Sequence, residues 1–345
     1  MTKNKFIVVT GGGTGGHLKV AKTFIDELVS RGYKIVYIGS TSGQDKMWFE
    51  EYENIDIKIF LETKGVVNQG IFGKIKSLFK IIKASFYVRN IFKQYNIKEV
   101  ISVGGFSAAP AVFATFFNSS KLFIHEQNSK MGSLNKLSSI WAKKLFTSYN
   151  KRFFLCDYPV DNMFFETSRI RKETKTIIFL GGSQGARAIN NFALYVAKEL
   201  NQRGIKIIHQ CGQNDFEKVQ QEYLNLQIMD VELFAFSPNL VDFISKADFA
   251  VSRAGASTLW ELCANAVPTI FVPYPYAASD HQYYNALFLK EQNLGFVLRE
   301  NELCSQKFFE ILDTCDVEDL SGRLKSSIKP NGAGKILDEI VNRES

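Results

Sequence analysis

Glycine clusters followed by hydroxyl, imidazole, amide and carboxylate side chains carry most of the chemistry this chain can be expected to do. The first is Gly11-Gly12-Gly13-Thr14-Gly15-Gly16-His17, which follows the β-rich run FIVVT at 6–10 and precedes a helical pattern at 18–30. Glycine lets the backbone take positive φ and approach a ligand closely, and the N–H groups of a helix start face an anion. Gly11, Gly13 and Gly16 have the spacing of the dinucleotide fingerprint. That fingerprint also needs an acid at the end of the next strand to hold a ribose, and here that strand ends Tyr37-Ile38-Gly39-Ser40. No GxxxxGK[ST] occurs, so a P-loop is excluded too. His17 ends the loop either as a general base beside an acceptor hydroxyl or as a side chain that caps the loop backbone.

A second cluster, Gly181-Gly182-Ser183-Gln184-Gly185-Ala186, follows TIIFL at 176–180 and precedes a helix at 189–200. Ser183 can donate its hydroxyl to a phosphate at that helix start. Further on, SRAGASTLWE at 252–261 reads as a strand end, a glycine turn, an N-cap at Ser257 and a helix. Glu261, one turn later, completes a capping box or accepts both hydroxyls of a ribose. The segment DHQYYNA at 280–286 opens another helix with polar side chains suited to sugar hydroxyls.

The elements that position these residues are strands separated by helix-length segments. Strand-type runs at 6–10, 34–38, 100–103, 122–124 and 144–146 alternate with helical patterns. The sequence then restarts with strand, glycine turn and helix from 176 onward, followed by runs at 206–210, 231–236, 249–251 and 269–272. Such alternation means βα units and parallel sheets. The expected fold class is α/β, with two Rossmann-like doubly wound domains and the ligand bound between them. The expected limits are 1–165 for the N-terminal domain and 166–325 for the C-terminal one, with a helix at 326–345 packing back toward the first.

Composition agrees with two globular domains. The chain has 345 residues, 46% hydrophobic and 22% charged, with a formal net charge of +7. A basic balance favours anionic partners without choosing among nucleic acid, lipid and phosphorylated small molecules. The five cysteines are scattered, without CxxC spacing, which argues for reduced thiols rather than a disulfide framework or a zinc knuckle. The N-terminus runs straight into a strand, so no signal peptide is expected. No apolar run reaches the roughly 18–20 residues that span a bilayer.

Residues 70–93, GIFGKIKSLFKIIKASFYVRNIFK, contain Lys74, Lys76, Lys80, Lys83, Arg89 and Lys93 and no acid. Ile71, Ile75, Leu78, Phe79, Ile82 and Phe86 recur at helical spacing. A helix of this kind lies in an anionic membrane interface, and Ile71, Phe72, Lys74, Ile75, Lys76, Leu78, Phe79, Lys80, Ile82 and Lys83 are its expected contacts. An ordinary domain helix with this stripe in the core explains the spacing but not the missing acids. The basic residues cluster with aliphatics rather than stacking aromatics, and no nucleic-acid motif occurs, so no nucleic-acid partner is expected.

Six ordered motifs resemble those of the MurG-type family, the lipid II-forming N-acetylglucosaminyltransferases. They are GGGTGGH (11–17), VGGFSAAP (103–110), HEQN (125–128), GGSQGA (181–186), SRAGASTLWE (252–261) and HQYYNA (281–286). The resemblance covers nearly the whole chain. It implies the GT-B fold and transfer of GlcNAc from UDP-GlcNAc to undecaprenyl-pyrophosphoryl-MurNAc-pentapeptide (lipid I), at the cytoplasmic face of the bacterial inner membrane. It implies that Thr14, Gly15, Gly16, Asn128, Ser183 and Gln282 contact the UDP-sugar and that Glu261 holds the ribose. The backbone of Ala256, Ser257 and Thr258 would lie against donor phosphate or sugar, and Asn285 would meet a sugar hydroxyl. Partners implied are UDP-GlcNAc, lipid I, an anionic membrane surface and other cell-wall synthesis proteins.

The chemistry implied is inversion at the anomeric carbon by the acceptor C4 hydroxyl, with His17 as the first candidate base, His125 the second and Glu126 the third. No DxD motif is present, and no metal or cofactor is expected. Two departures stand out. Leu18-Lys19-Val20 replaces the family's Ile, aromatic and Pro after the first motif, and Tyr158-Pro159-Val160-Asp161 replaces an Asn-Pro-Val-Arg segment, so Asp161 does not take the arginine's role. A glycolipid synthase acting on diacylglycerol and a UDP-GlcNAc 2-epimerase are the alternatives within related architectures.

Overall fold

Apolar runs without alternation, such as Ile7-Val8-Val9 and Ile177-Ile178-Phe179, belong to strands covered on both faces, and these side chains are fully buried. The computed structural model describes residues 5–63, 71–150, 152–182 and 185–341, with backbone only at 71–75. Its first elements are β1 (Phe6–Thr10), α1 (Gly15–Ser30), β2 (Lys34–Ser40), α2 (Asp45–Phe49), β3 (Ile57–Leu61) and α3 (Ile71–Gln94). Next come β4 (Glu99–Ser102), α4 (Ala109–Phe116), β5 (Lys121–Glu126), α5 (Ser133–Ser138), β6 (Lys144–Thr147) and β7 (Phe154–Leu155). They form a seven-stranded sheet in the order β3-β2-β1-β4-β5-β6-β7, with every pairing parallel.

The second half opens with α6 (Asn162–Glu166), β8 (Thr176–Leu180), α7 (Arg187–Gln202), β9 (Lys206–Gln210), α8 (Phe216–Asn225) and β10 (Val231–Phe234). It continues with α9 (Val241–Ile244), β11 (Phe249–Ser252), α10 (Ala256–Ala264), β12 (Thr269–Phe271), α11 (His281–Lys290) and β13 (Phe296–Val297). The helices α12 (Ser305–Thr314), α13 (Val317–Ser327) and α14 (Gly332–Val341) complete the chain. Here the sheet has six strands in the order β10-β9-β8-β11-β12-β13, again parallel throughout. Two doubly wound parallel sheets are the pair expected from the repeated βα pattern, and they agree with the GT-B fold that the family resemblance implies.

Helix α1 shows how the sequence builds these layers. Leu18, Ala21, Phe24, Ile25 and Leu28 share its buried face, at the three- and four-residue spacing of an amphipathic helix. Each of the larger side chains contributes roughly 1.5–3 kcal/mol by leaving water. The helix begins at Gly15, ahead of the apolar pattern, because glycine contributes nothing to that pattern.

The chain divides into two compact units, Met1–Val160 with Asn331–Ser345, and Asp161–Pro330. The division falls a little before residue 165 because Asn265 holds α6 to the second unit, its amide donating to the Phe164 carbonyl and the Thr167 hydroxyl, both at 2.9 Å. Asp161 caps α6 by accepting from the Met163 N–H at 3.0 Å. Helix α14 packs on the first unit. Arg31 donates to Asp338 at 2.7 Å and to the Gly334 carbonyl at 3.0 Å, and Lys144 pairs with Glu339 at 2.7 Å.

Arg171 anchors the second unit from inside, with a fully buried guanidinium. It donates to the carbonyls of Arg169 (2.8 Å), Ala247 (3.1 Å) and Asn265, and to Asn265 Oδ1 (2.6 Å). It also reaches the Ile244 carbonyl (3.4 Å), so that two of its acceptors, Ile244 and Asn265, close α9 and α10, where a helix C-terminus suits a cation. Burial still pushes its pKa down to about 9.

Candidate active site

In a doubly wound sheet, ligands bind beyond the carboxyl ends of the strands where the strand order reverses. The reversal lies between β1 and β4 in the first unit and between β8 and β11 in the second. The loops leaving these four strands are the motif segments 11–14, 103–108, 181–186 and 253–255.

In the first unit the two loops lie backbone against backbone. Gly12 N donates to the Gly104 carbonyl at 3.2 Å. A Cβ on Gly105, where φ is +81°, would stand 2.2 Å from the Gly12 carbonyl oxygen. A Cβ on Gly11 would likewise stand 2.4 Å from the Gly104 carbonyl oxygen, so only glycine at 11 and 105 allows this approach. A buried carboxylate holds the loop from behind: Asp45 Oδ2 accepts from Gly13 N at 2.6 Å, and Oδ1 accepts from Ser40 N at 3.0 Å. The Tyr37 hydroxyl donates to the Gly11 carbonyl at 3.0 Å and lies 3.1 Å from Asp45 Oδ1. Burial and the neighbouring Asp45 charge keep the Tyr37 phenol well above its ordinary pKa. Neither residue was identified from sequence, because Asp45 sits in a polar stretch without periodicity and Tyr37 reads as an ordinary strand residue.

Thr14 is the N-cap of α1, with Gly15, Gly16 and His17 in its first turn, and its own side chain does not cap the helix. The Thr14 hydroxyl instead lies 3.0 Å from His17 Nδ1. His125 is buried at 1% exposure, between the rings of Phe24 and Tyr158. Neither of its ring nitrogens has a hydrogen-bond partner among the described residues, and burial, reinforced by the nearby His17, pushes its pKa down to about 3. Glu126 accepts from Asn128 N (2.9 Å), Gly132 N (3.0 Å) and Asn135 Nδ2 (2.8 Å). Burial raises its pKa against these bonds. Glu126 therefore organises the turn that carries Asn128. Gln127 joins this turn to the 103–108 loop, donating to the Val103 carbonyl at 3.1 Å while accepting from the Tyr158 hydroxyl at 3.3 Å.

In the second unit, α10 starts at Ala256 with Gly255 as N-cap and no side-chain cap. Ser257 lies inside the first turn rather than at the cap, so the capping box that would pair it with Glu261 is not formed. Ala256, Ser257 and Glu261 are buried, and Thr258 is half-buried. Gln282, at the start of α11, accepts from Tyr274 N at 3.0 Å. Asn285 is fully buried and donates to the Ala254 carbonyl at 3.2 Å, which ties α11 to the turn before α10. Ser183 lies outside the described residues.

Helix α3 carries two apolar faces. Ile81, Val88 and Phe92 are buried, whereas Leu78, Phe79, Ile82 and Phe86 are exposed, Phe79 by 72%. The stripe visible in the sequence is thus the outer one, and Lys76, Lys80 and Lys83 flank it in solvent. Phe86 stacks on Phe117 of the segment after α4, with ring centroids 5.1 Å apart, which extends the exposed apolar surface. The side chains of Ile71, Phe72, Lys74 and Ile75 lie outside the described residues.

The fold and its loops fit a known class. Residues 7–147 match the glycosyltransferase family 28 N-terminal domain and residues 176–340 its C-terminal domain, and the chain belongs to this family. The chain is 51% identical, over 97% of both sequences, to the UDP-N-acetylglucosamine--N-acetylmuramyl-(pentapeptide) pyrophosphoryl-undecaprenol N-acetylglucosamine transferase of Campylobacter jejuni subsp. jejuni serotype O:6. The protein of the same name from Helicobacter pylori J99 is 47% identical, over 97% of this chain and 99% of its own. Among solved structures, MurG of Acinetobacter baumannii superposes with a TM-score of 0.81 at 26% identity, covering 98% of this chain and 99% of its own.

Proposed function

We propose that this chain transfers N-acetylglucosamine from UDP-GlcNAc to the C4 hydroxyl of MurNAc in lipid I, giving lipid II for peptidoglycan synthesis. Identity of 47–51% to transferases of that name, over nearly the full length of both chains, carries this reading. The reaction is a single displacement that inverts the anomeric carbon. The acceptor oxygen forms the new glycosidic bond, the bond to UDP breaks, and the acceptor proton passes to a base. Negative charge grows on the leaving diphosphate, and helix N-termini without side-chain caps, such as that of α10, suit such an anion.

We assign Ala256, Ser257, Thr258, Glu261, Gln282 and Ser183 to the donor in the second unit, with Glu261 on the ribose. Thr14, Gly15, Gly16 and Asn128 are assigned donor contacts in the first unit. The full burial of Asn285 favours a positioning role for it over direct sugar contact. His17 is the base we assign. With the Thr14 hydroxyl accepting from Nδ1–H, the lone pair on Nε2 is the one that takes the proton. The burial of His125 and the three donors on Glu126 favour supporting roles for those two residues.

The exposed stripe Leu78, Phe79 and Ile82, with Lys76, Lys80 and Lys83, supports peripheral binding to an anionic membrane on the cytoplasmic side, beside a lipid-anchored acceptor. No described helix is long and apolar enough to cross a membrane.

The test is UDP release from UDP-GlcNAc by the purified protein, with and without a lipid I analogue, in the presence of EDTA. Release that requires the analogue supports the assignment. Release that requires diacylglycerol instead, or an epimerised sugar as sole product, overturns the acceptor.

A further inference from the structure

Two adjacent residues of opposite charge after β13, Arg299 and Glu300, reach two different motif segments of the second unit. Glu300 accepts a hydrogen bond from Arg253 Nη2. Arg253 immediately follows β11 and leads into the turn before α10. Its Nη1 also donates to the carbonyls of Val272 (3.1 Å) and Pro273 (3.3 Å), so one guanidinium braces the chain leaving β11 and the chain leaving β12. Arg299 Nη2 donates to Asp280 Oδ2 at 2.8 Å, and its guanidinium lies 3.8 Å from the centre of the Tyr283 ring. The Arg299 backbone is itself fixed, since its N–H donates to Glu302 Oε2 at 2.8 Å.

What Arg299 holds is conformationally costly. Ser279 and Asp280 have φ values of +54° and +53°, a region that residues with a Cβ seldom adopt without support. This left-handed pair sets the direction in which α11 begins, and Gln282 is its second residue.

We propose that Arg299 and Glu300 form a positioning pair that fixes the start of α10 and the start of α11 relative to each other, and through them the grip on the UDP moiety. The inference rests on the reading that the 256–261 and 282 segments bind UDP-GlcNAc. The two contacts differ in weight. The Arg253 side chain is 12% exposed and that of Glu300 31%, whereas Arg299 and Asp280 are 41% and 34% exposed. The Arg253–Glu300 bond is the better shielded, and the Arg299–Asp280 pair is the one that salt screens.

The experiment measures UDP binding by calorimetry, KM for UDP-GlcNAc, kcat and Tm for Arg299→Met, Arg299→Lys, Glu300→Gln and Glu261→Ala. Arg299→Met is expected to weaken UDP binding about 3-fold, the scale of a half-exposed ion pair. Glu300→Gln is expected to weaken it about 10-fold, because it leaves a mostly buried arginine without its charged partner. In both, KM rises with the dissociation constant and kcat changes less. Arg299→Lys, which keeps a cation at Asp280, binds UDP nearly as the unaltered protein does. If Arg299→Met and Glu300→Gln lower Tm but bind UDP normally, the positioning role is overturned while the donor site stands, provided Glu261→Ala has lost UDP. If Glu261→Ala binds UDP normally, the donor reading fails and the positioning role falls with it.

Discussion

Asp45 accepts the Gly13 backbone N–H at 2.6 Å from a fully buried position, so the shape of the first glycine loop depends on a side chain more than thirty residues further along the chain. The same carboxylate accepts from Ser40 N through its other oxygen. Asp45→Ala leaves these buried donors unpaired, an expected loss of about 3 kcal/mol at 1–3 kcal/mol for each unsatisfied group. Urea denaturation measures the loss, and transferase activity falls further than stability because the loop no longer holds its form. Asp45→Asn falls between, since its amide can replace only part of the acceptor set.

Two glycines with similar backbone angles separate conformational strain from steric contact. Gly32 has φ +83° with nothing within 4 Å of an added Cβ, whereas Gly105 has φ +81° and would meet the Gly12 carbonyl. Gly32→Ala therefore costs only the left-handed term, about 1–2 kcal/mol, and leaves activity intact. Gly105→Ala drives the two loops of the first unit apart, and both Tm and activity fall well below those of Gly32→Ala.

Acid sensitivity follows from two buried histidines. His125 and His209 are held neutral by burial, each pushed down to about 3 from an ordinary 6.5. Below pH 6.5 the unfolded chain takes up protons that the folded chain refuses, so stability falls as pH drops toward 3. Each histidine contributes a limiting slope of about 1.4 kcal/mol per pH unit. Glu126, whose carboxyl burial pushes up, acts in the opposite sense once it protonates in the folded state. His125→Leu removes one of the two imidazoles, and its urea midpoint should decline less than that of the unaltered protein between pH 6.5 and 5. Identical declines contradict the neutral buried state.

The proposed membrane face and the core face separate on one helix, α3. Phe79 is 72% exposed and Ile81 is 4% exposed. Phe79→Asp weakens sedimentation with anionic vesicles while leaving the unfolding free energy within about 0.5 kcal/mol of its original value. Ile81→Asp buries an unpaired carboxylate and unfolds the first unit. Raising salt weakens vesicle binding through Lys76, Lys80 and Lys83.

The loops and the parallel order are legible in the sequence because their signals are local: glycine before a helix start, and short unbroken apolar runs. Strands β7 and β13, two residues each, carry too little pattern to be read, and β3 is a half-buried edge strand. The start of α10 is misread because Ser257 has the chemistry of a cap, yet Gly255 supplies the extended backbone there. On α3 a single stripe is visible in the sequence, and only the packing shows that Ile81, Val88 and Phe92 take the core and leave the other face outside. Asp45, Arg253 and Arg299 are invisible as site residues for a common reason. Each acts on a segment brought near by the topology, and no spacing along the chain encodes that.

The central claim is tested most directly by analysing the product formed from UDP-GlcNAc and a lipid I analogue by mass and by anomeric configuration. The account predicts an acceptor heavier by one N-acetylhexosamine, β-linked at the MurNAc C4 oxygen, with its formation lost in His17→Ala and Glu261→Ala. An unmodified acceptor, an α linkage, or full product yield with Glu261→Ala contradicts it.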